Sequence, residues 1–214
     1  MNYLAIDTSG EKVCVLLRFS GKSDFRTVNE HKTTSETLLP LIDEMLAFSG
    51  AKLNDMDFFA CVTGPRSLTG KRLRVVTDKT FACVLNKRIV AVTSLEKLAY
   101  NDISDSADCT VCAVHAYADN CYLAAYSSSG SEVIAPAMFT YGEAQNYLAT
   151  LNRPFALIAD QASAPHFPSA GMDHPEKSLQ KAVETAFSSG KLLSYGEVEP
   201  FYLLKSQAER EKGE

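Results

Sequence analysis

The sequence lacks features that mark several large protein classes. It has 21 basic and 26 acidic residues, a net charge of −5, so it carries no overall positive charge of the kind found on nucleic-acid-coating proteins. No stretch approaches the ~18 consecutive apolar residues that span a bilayer. A basic N-terminal region is missing and Asp7 interrupts the first apolar run, so we expect no signal peptide. The sequence predicts a cytoplasmic protein without a membrane span, which contacts any RNA through a local patch.

Familiar catalytic signatures are also missing. The loop between Gly64 and Gly70 has five residues between its glycines and Arg72 after the lysine, whereas a Walker loop needs four and a Ser or Thr. No G-x-S-x-G elbow is present. No two histidines have the H-E-x-x-H or H-x-x-x-H spacing that places metal ligands on one helical turn. The four are His31, His115, His166 and His174. We therefore expect no metal site, no cofactor and no catalytic residue.

The cysteines lie inside apolar runs rather than in a loop-rich framework. They are Cys14, Cys61, Cys83, Cys109, Cys112 and Cys121. Buried, reduced thiols fit this placement better than disulfides, which favours the cytosol. Cys109 and Cys112 form a C-x-x-C on a predicted strand, where residues three apart point to opposite faces. Structural cysteines are therefore favoured over a zinc site.

Apolar patterning predicts a duplicated order of elements. In the first half, strands are expected at 3–6, 13–19, 25–28, 58–62 and 89–92, with helices at 35–48, at 71–85 and from the capping box 93–96. In the second half, strands are expected at 109–115, 121–127, 132–139 and 155–159, with helices at 141–151 and 179–187. We interpret this as a repeated βββαβα unit without evident sequence identity, with a boundary near 104–108. That arrangement is typical of α/β ribonuclease H-like and actin-like architectures.

The first strand ends in a candidate phosphate or metal contact. Asp7 follows the apolar run and is succeeded by Thr8 and Ser9 in a hairpin turn. Many actin-like enzymes approach phosphate or a metal in this way, because backbone N–H groups in a tight turn hold the anion and a carboxylate holds the cation. The alternative is that Asp7 only starts the turn by bonding its own backbone. A motif of only three residues, Asp7, Thr8 and Ser9, is more often such a turn than a binding site.

A cluster of basic residues lies where the second helix begins. Its members are Arg66, Lys71, Arg72 and Arg74. Cations at a helix N-terminus oppose the helix dipole by roughly 0.3–1 kcal/mol each, which suggests an acidic partner: a nucleotide, RNA or a protein surface. The alternative is that Lys71 and Arg72 are solvated and Arg74 pairs with Asp78 at i,i+4. The two interpretations are about even.

The first helix has an unusually wide apolar stripe. Leu38, Ile42 and Met45 recur at helical spacing, while Leu39 and Leu46 extend the stripe beyond one face. Such a stripe fits contact with a second protein. The alternative is that it packs only within its own lobe. We also expect a kink at Pro40 and an end at Gly50.

Five segments, in order along nearly the whole chain, resemble the TsaB (YeaZ) family. They are L-A-I-D-T-S at 4–9, S-E-T-L-L-P-L-I-D at 35–43, G-P-R-S-L-T-G-K-R at 64–72, V-T-S-L-E at 92–96, and P-F-Y-L with K-S-Q-A-E at 200–209. The resemblance is strongest through residue 100. The chain departs from the family pattern at Thr34, Arg66, Arg74, His115 and Leu204.

The resemblance implies a two-lobed, actin-like fold and a function. We expect lobes at 1–105 and 106–189, with the segment 190–214 packing back on the first. The implied function is that of a non-catalytic subunit, which binds a TsaD-like catalytic protein and supports threonylcarbamoyl transfer to the tRNA adenosine next to the anticodon. A TsaE-like ATPase and tRNA would join through the complex, and a homodimer would form when the partner is absent.

Two sets of site residues follow. The expected partner-binding residues are Ser35, Glu36, Leu39, Ile42, Leu46, Leu73, Val76 and Thr80. The expected nucleotide or anion contacts are Asp7, Thr8, Gly64, Pro65, Arg66, Ser67, Thr69, Gly70 and Arg72. An alternative is an actin-like small-metabolite kinase that uses Asp7 and the 64–70 loop. Direct tRNA binding by the basic cluster is a third possibility, weakened by the net charge.

Overall fold

Two five-stranded sheets and five α-helices make up the described part of the chain. The computed structural model describes residues 1–10, 12–29, 34–65, 72–101, 107–199 and 201, with the backbone alone at 29, 34–36 and 72–76. The strands are β1 Tyr3–Asp7, β2 Lys12–Phe19, β3 Lys22–Asn29, β4 Phe58–Val62, β5 Arg88–Val92, β6 Cys109–His115, β7 Asn120–Tyr126, β8 Glu132–Thr140, β9 Phe155–Ala159 and β10 Gly171–Met172. The helices are α1 Thr34–Ser49, α2 Arg72–Leu85, α3 Ser94–Ala99, α4 Tyr141–Ala149 and α5 Pro175–Ser188.

The two sheets share one topology. The first has the order β3-β2-β1-β4-β5 and the second the order β10-β9-β6-β7-β8. In each, three consecutive strands form an antiparallel meander, and the first of the three also pairs in parallel with a later strand. This repeat confirms the predicted two-lobed, actin-like α/β fold. The halves are not identical, because α2 joins β4 to β5 whereas a single 3₁₀ turn, Ala164–His166, is the regular element between β9 and β10.

Each sheet is covered on both faces. Helices α1 and α2 pack on the outer face of the first sheet, against Leu4, Ile6 and Phe59. Helix α4 packs on the outer face of the second sheet, against Leu123 and Ala125. These buried faces explain why β4, most of β6, and β1 up to Asp7 are apolar.

The remaining two helices lie between the sheets and are exchanged between the halves. Helix α5, which the sequence placed in the second lobe, packs on the inner face of the first sheet through Leu179, Ala182 and Val183. Helix α3, from the first half, packs on the inner face of the second sheet through Leu95 and Leu98. The predicted lobe limits 1–105 and 106–189 therefore separate each of these helices from the sheet that it covers.

The described part of the C-terminal segment lies against the first lobe. Leu193 and Ile89 exchange backbone hydrogen bonds of 2.9 and 2.8 Å, and Val198 is buried in the outer core. Farther along, the N–H of Phe201 donates to the carbonyl of Thr63 at 3.0 Å. The expected packing of 190–214 thus has a structural counterpart up to residue 201.

Cysteine placement agrees with the expectation at five positions and differs at one. Cys109 and Cys112 lie in the cores on opposite faces of the second sheet, as the strand period requires. Cys83, on α2, is exposed rather than buried, whereas the other five are buried and all six are free thiols. None of the helices in the described ranges combines the length and apolar character needed to cross a bilayer.

Candidate functional site

A cleft of about 600 Å³ opens between the two sheets. Its walls come from both halves of the chain, and its charged residues are Asp7, Lys12, Lys97, Asp160 and Asp173. The cleft lies where β1 and β9 end, so the turn that follows β1 faces the turn that follows β9. The predicted phosphate or metal contact at Asp7 therefore belongs to an interlobe cleft.

The carboxylate of Asp7 is buried and both of its oxygens are engaged. The backbone N–H of Ser9 donates to Oδ1 at 2.7 Å, which confirms the predicted turn-forming bond. The Lys97 ammonium donates to Oδ2 at 2.8 Å. Burial alone would raise the pKa of Asp7, but the ammonium of Lys97 and the bonds from Ser9 outweigh it and lower the pKa. Asp7 is therefore ionised and paired at neutral pH.

Lys97 bridges Asp7 to a second carboxylate. Its Nζ lies 3.0 Å from Oδ2 of Asp173, and Lys97 is itself 5% exposed. Oδ1 of Asp173 accepts from Asn101 Nδ2 at 3.0 Å and from Ser178 Oγ at 2.8 Å. Burial would lower the pKa of Lys97, but the two carboxylates outweigh burial and raise it.

This arrangement does not fit a divalent cation at Asp7. An oxygen-ligated cation would need the carboxylate oxygen that the Lys97 ammonium already contacts. Among the described residues, no three His, Cys, Asp or Glu side chains form a cluster able to hold a metal. These residues therefore offer no basis for a chemical step through a metal at Asp7.

The second lobe contributes Asp160 to the same cleft, and a set of polar groups lies behind it. Asp160 accepts from the N–H of His115 at 3.2 Å and from the N–H of Ser163 at 2.8 Å. Nδ1 of His115 lies 2.9 Å from Oη of Tyr141, whose ring stacks on His166 with centroids 3.6 Å apart. His115 is one of the departures from the family pattern, and it is a structural part of this turn.

The sequence did not identify Lys97, Asp160 or Asp173 as site residues. Lys97 follows Asp7 by 90 positions, and Asp173 lies in the other half of the chain. No local spacing connects these residues. The one available signal was the ionisable side chain of Lys97 between Leu95 and Leu98, in a short helix that also contains Ser94 and Glu96.

The 64–70 loop is described only at its beginning. The carbonyl of Gly64 accepts from the N–H of Ser94 at 2.7 Å, and the carbonyl of Pro65 accepts from Ser94 Oγ at 2.9 Å. These bonds attach the loop to the start of α3. Arg66, Ser67, Thr69 and Gly70, which we expected to contact an anion, lie outside the described residues, as does the side chain of Arg72. Thr8 is buried at the end of β1.

Among the expected partner residues, two are core residues. Ile42 is 1% exposed and Leu46 is 7% exposed, and both pack against the outer face of the first sheet. They present almost no surface to a second protein, which corrects their assignment to the partner surface. Leu39 and Thr80 are exposed. The side chains of Ser35, Glu36, Leu73 and Val76 lie outside the described residues.

The two flanks of α1 face different neighbours. The Arg26 guanidinium on β3 lies 5.7 Å from the centre of the Phe48 ring and 2.6 Å from Oε1 of Glu44. That flank therefore faces the β3 edge of the sheet. Leu39 precedes Phe48 by nine residues, about two and a half turns, so it lies on the opposite flank, which faces α2.

Helix α2 packs on the same face of the first sheet as α1. Both α1 and α2 connect parallel strands over the same face, so they run in parallel. When each helix is viewed from its N-terminus with its buried side down, Val84 on α2 and Phe48 on α1 lie on the same side. Because the two helices run in parallel, this side of α2 is the one that faces α1. Leu39 is 46% exposed and Val84 is 75% exposed. We call the space between these two flanks the α1–α2 groove, and the helical period places both exposed apolar side chains beside it.

The chain is similar to known proteins of one family. The family model of TsaD, tRNA N6-adenosine threonylcarbamoyltransferase, matches residues 29–193 of the 214. The tRNA threonylcarbamoyladenosine biosynthesis protein TsaB of Haemophilus influenzae is 32% identical over 99 residues, 46% of this chain and 42% of that protein. TsaB of Escherichia coli is 31% identical over 104 residues, 46% of this chain and 43% of that protein. These alignments span less than half of each relative's length.

A solved structure supports the fold over nearly the full chain. YeaZ from Pseudomonas aeruginosa superimposes with a TM-score of 0.74 and 21% identity, covering 94% of this chain and 99% of that one. At this identity the likeness establishes the fold. Together with the matched family model and the TsaB relatives, it shows that the chain belongs to the TsaD family as a TsaB/YeaZ-type member.

Proposed function

We propose that this chain is a non-catalytic partner subunit, which binds a TsaD-like protein and supports threonylcarbamoyl transfer to the tRNA adenosine next to the anticodon. The relatives in H. influenzae and E. coli are named as tRNA threonylcarbamoyladenosine biosynthesis proteins, which supports this pathway. In this proposal a TsaE-like ATPase and tRNA join through the complex. When its partner is absent, the chain forms a homodimer through the surface that would otherwise bind the TsaD-like protein.

The non-catalytic part of the proposal rests on the state of Asp7. This carboxylate is placed where an actin-like enzyme would use it, but both of its oxygens are bonded within the chain. Its neighbour Asp160 adds to the cleft a carboxylate whose negative charge opposes a nucleotide phosphate. The cleft is therefore poorly suited to the kinase alternative.

The observation that carries the partner role is the exposure of Leu39 and Val84 along the α1–α2 groove. The free energy of the system falls when a second protein covers apolar side chains that border a groove. Ile42 and Leu46 lie beneath this groove and hold α1 on the sheet, so the surface has a rigid base.

The test is binding of the purified chain to the TsaD-like protein of the same organism, measured by calorimetry. Leu39→Glu and Val84→Glu should each weaken binding roughly 10- to 100-fold, because each places a charge in an apolar contact. Reconstituted threonylcarbamoyl transfer to tRNA should fall in parallel. Neither variant should lower the thermal midpoint appreciably, since both side chains are exposed in the free chain.

The matched control is Val133→Glu, which places the same charge at an exposed position of β8 in the second lobe. Binding should be unchanged in this variant. Full affinity of Leu39→Glu and Val84→Glu would show that the groove is not the partner surface. Magnesium-dependent ATP binding by the isolated wild-type chain would instead favour the kinase alternative.

A further inference from the structure

The buried charges between the lobes form one connected network. It joins the end of β1, helix α3, the segment after β10 and the first turn of α5. Its members are Asp7, Lys97, Asn101, Asp173, His174 and Ser178. The backbone N–H of His174 donates to Asn101 Oδ1 at 2.7 Å, which closes the connection between α3 and α5. Polar networks of this kind, when satisfied, make the structure around them more rigid.

We infer that the Lys97 ammonium takes the place of a divalent cation between Asp7 and Asp173, and so holds the two lobes together without a metal. Two carboxylate oxygens converge on Nζ, at 2.8 and 3.0 Å, from the two halves of the chain. Convergent carboxylate oxygens on one positive centre are the arrangement that a hard cation would require. Here the positive centre is covalently attached to α3.

The second oxygen of each carboxylate also accepts hydrogen bonds. Oδ1 of Asp7 accepts from Ser9, and Oδ1 of Asp173 accepts from Asn101 and Ser178. Neither carboxylate can therefore rotate toward the cleft to take a second cation without breaking one of these part-buried hydrogen bonds. A buried ion pair is favourable only when its remaining lone pairs are satisfied in this way.

The network lies at the point where elements from the two halves of the chain meet. Helices α3 and α5 are the two helices between the sheets, and each covers the sheet built by the other half. Lys97 belongs to α3, and Asp173 immediately precedes α5. The ammonium therefore connects both exchanged helices to the end of β1.

The test is to remove the ammonium from the full chain and offer a metal in its place. Lys97→Ala should lower the thermal midpoint by roughly 10 °C, because the buried carboxylate of Asp7 and the half-buried carboxylate of Asp173 are left without a counter-charge. Added Mn²⁺ should restore much of this loss, and chelation should reverse the restoration. The wild-type midpoint should be the same with Mn²⁺ and with chelator.

Two controls identify the site. Lys191→Ala removes an exposed lysine that also pairs with a carboxylate, that of Glu96 at 3.0 Å, and should show neither the loss nor the rescue. The double variant Lys97→Ala/Asp173→Asn should lose the rescue. A folded Lys97→Ala variant whose midpoint does not respond to Mn²⁺ would overturn the inference.

A measurement on the wild-type chain covers the case in which Lys97→Ala does not fold. The buried ammonium of Lys97 should give a slowly exchanging ¹H–¹⁵N signal, assigned by its absence from the conservative variant Lys97→Arg. This signal should be unaffected by paramagnetic Mn²⁺. Selective broadening of the signal would show that a cation enters between Asp7 and Asp173 beside the lysine, which contradicts the proposed replacement.

Discussion

Asp78 is a buried carboxyl group whose situation is opposite to that of Asp7. It lies on α2 and is 1% exposed, and neither carboxylate oxygen has a hydrogen-bond partner among the described residues. Burial raises the pKa of Asp78 well above its ordinary value. The sequence suggested pairing with Arg74, whose side chain lies outside the described residues. A carboxyl group placed in this way is protonated in the folded chain at mildly acidic pH and destabilises the fold as the pH rises.

We predict that Asp78→Asn raises the free energy of unfolding at neutral pH by roughly 1–3 kcal/mol. Above about pH 4 the unfolded carboxyl loses its proton while the folded one retains it, so wild-type stability falls by up to ~1.4 kcal/mol per pH unit. This fall ends at the raised pKa of the folded state. The asparagine variant lacks this contribution, so denaturant titrations should give similar stabilities near pH 4 and a growing difference above it.

Asp43→Asn is the control for this prediction, because Asp43 is an exposed carboxylate on α1. It should leave the pH dependence unchanged. Parallel stability curves for Asp78→Asn and the wild type would mean that Asp78 is ionised in the folded chain and has a compensating partner.

The residues show which kinds of contact can be predicted from sequence. The bond from Ser9 to Asp7 is local, so the turn pattern predicted it. The contact from Lys97 to Asp7 joins residues 90 positions apart, and only the fold brings them together. Ile42 and Leu46 illustrate a related difficulty, because a wide apolar stripe indicates burial but does not say whether the covering surface belongs to the same chain.

At the scale of elements, the exchange of α3 and α5 is the main difference from the prediction. The capping box of α3 was predicted and is present, with Thr93 Oγ1 accepting from the N–H of Glu96 at 3.0 Å. Local signals of this kind fix where a helix begins. They carry no information about which sheet the helix covers, because apolar residues at helical spacing fit either sheet equally well.

We predict that Leu179→Ala destabilises the chain by about 2–5 kcal/mol, because Leu179 is 1% exposed in the core between α5 and the first sheet. Native-state hydrogen exchange should show the largest loss of protection in β1, β4 and β5. The matched control is Leu148→Ala on α4, which packs on the second sheet and should loosen β6 and β7 instead. Loss of protection confined to β6–β9 in Leu179→Ala would contradict the exchanged arrangement.

At the scale of the whole molecule, the repeated topology was predictable and the pairing of its halves was not. Runs of apolar residues separated by turns indicated the order of strands along the chain, since buried strands and meanders have strong local patterns. The lobe limits at 105 and 106 followed from the same linear pattern. The cores cross that boundary, because Val183 from the second half packs among Tyr3 and Phe58 from the first.

We predict, as a consequence, that the fragments 1–105 and 106–214 do not fold cooperatively when separate. The first would lack α5 and expose the inner face of its sheet, and the second would lack α3 and expose its own. Circular dichroism during denaturant titration should show no sharp transition for either fragment, and mixing the two should restore one. A chimera of 1–105 joined by a flexible linker to residues 175–201, which supply α5 and the segment that carries Leu193 and Val198, should recover cooperative unfolding. A sharp transition in isolated 1–105 would show instead that the first lobe is stable without the helix supplied by the second half.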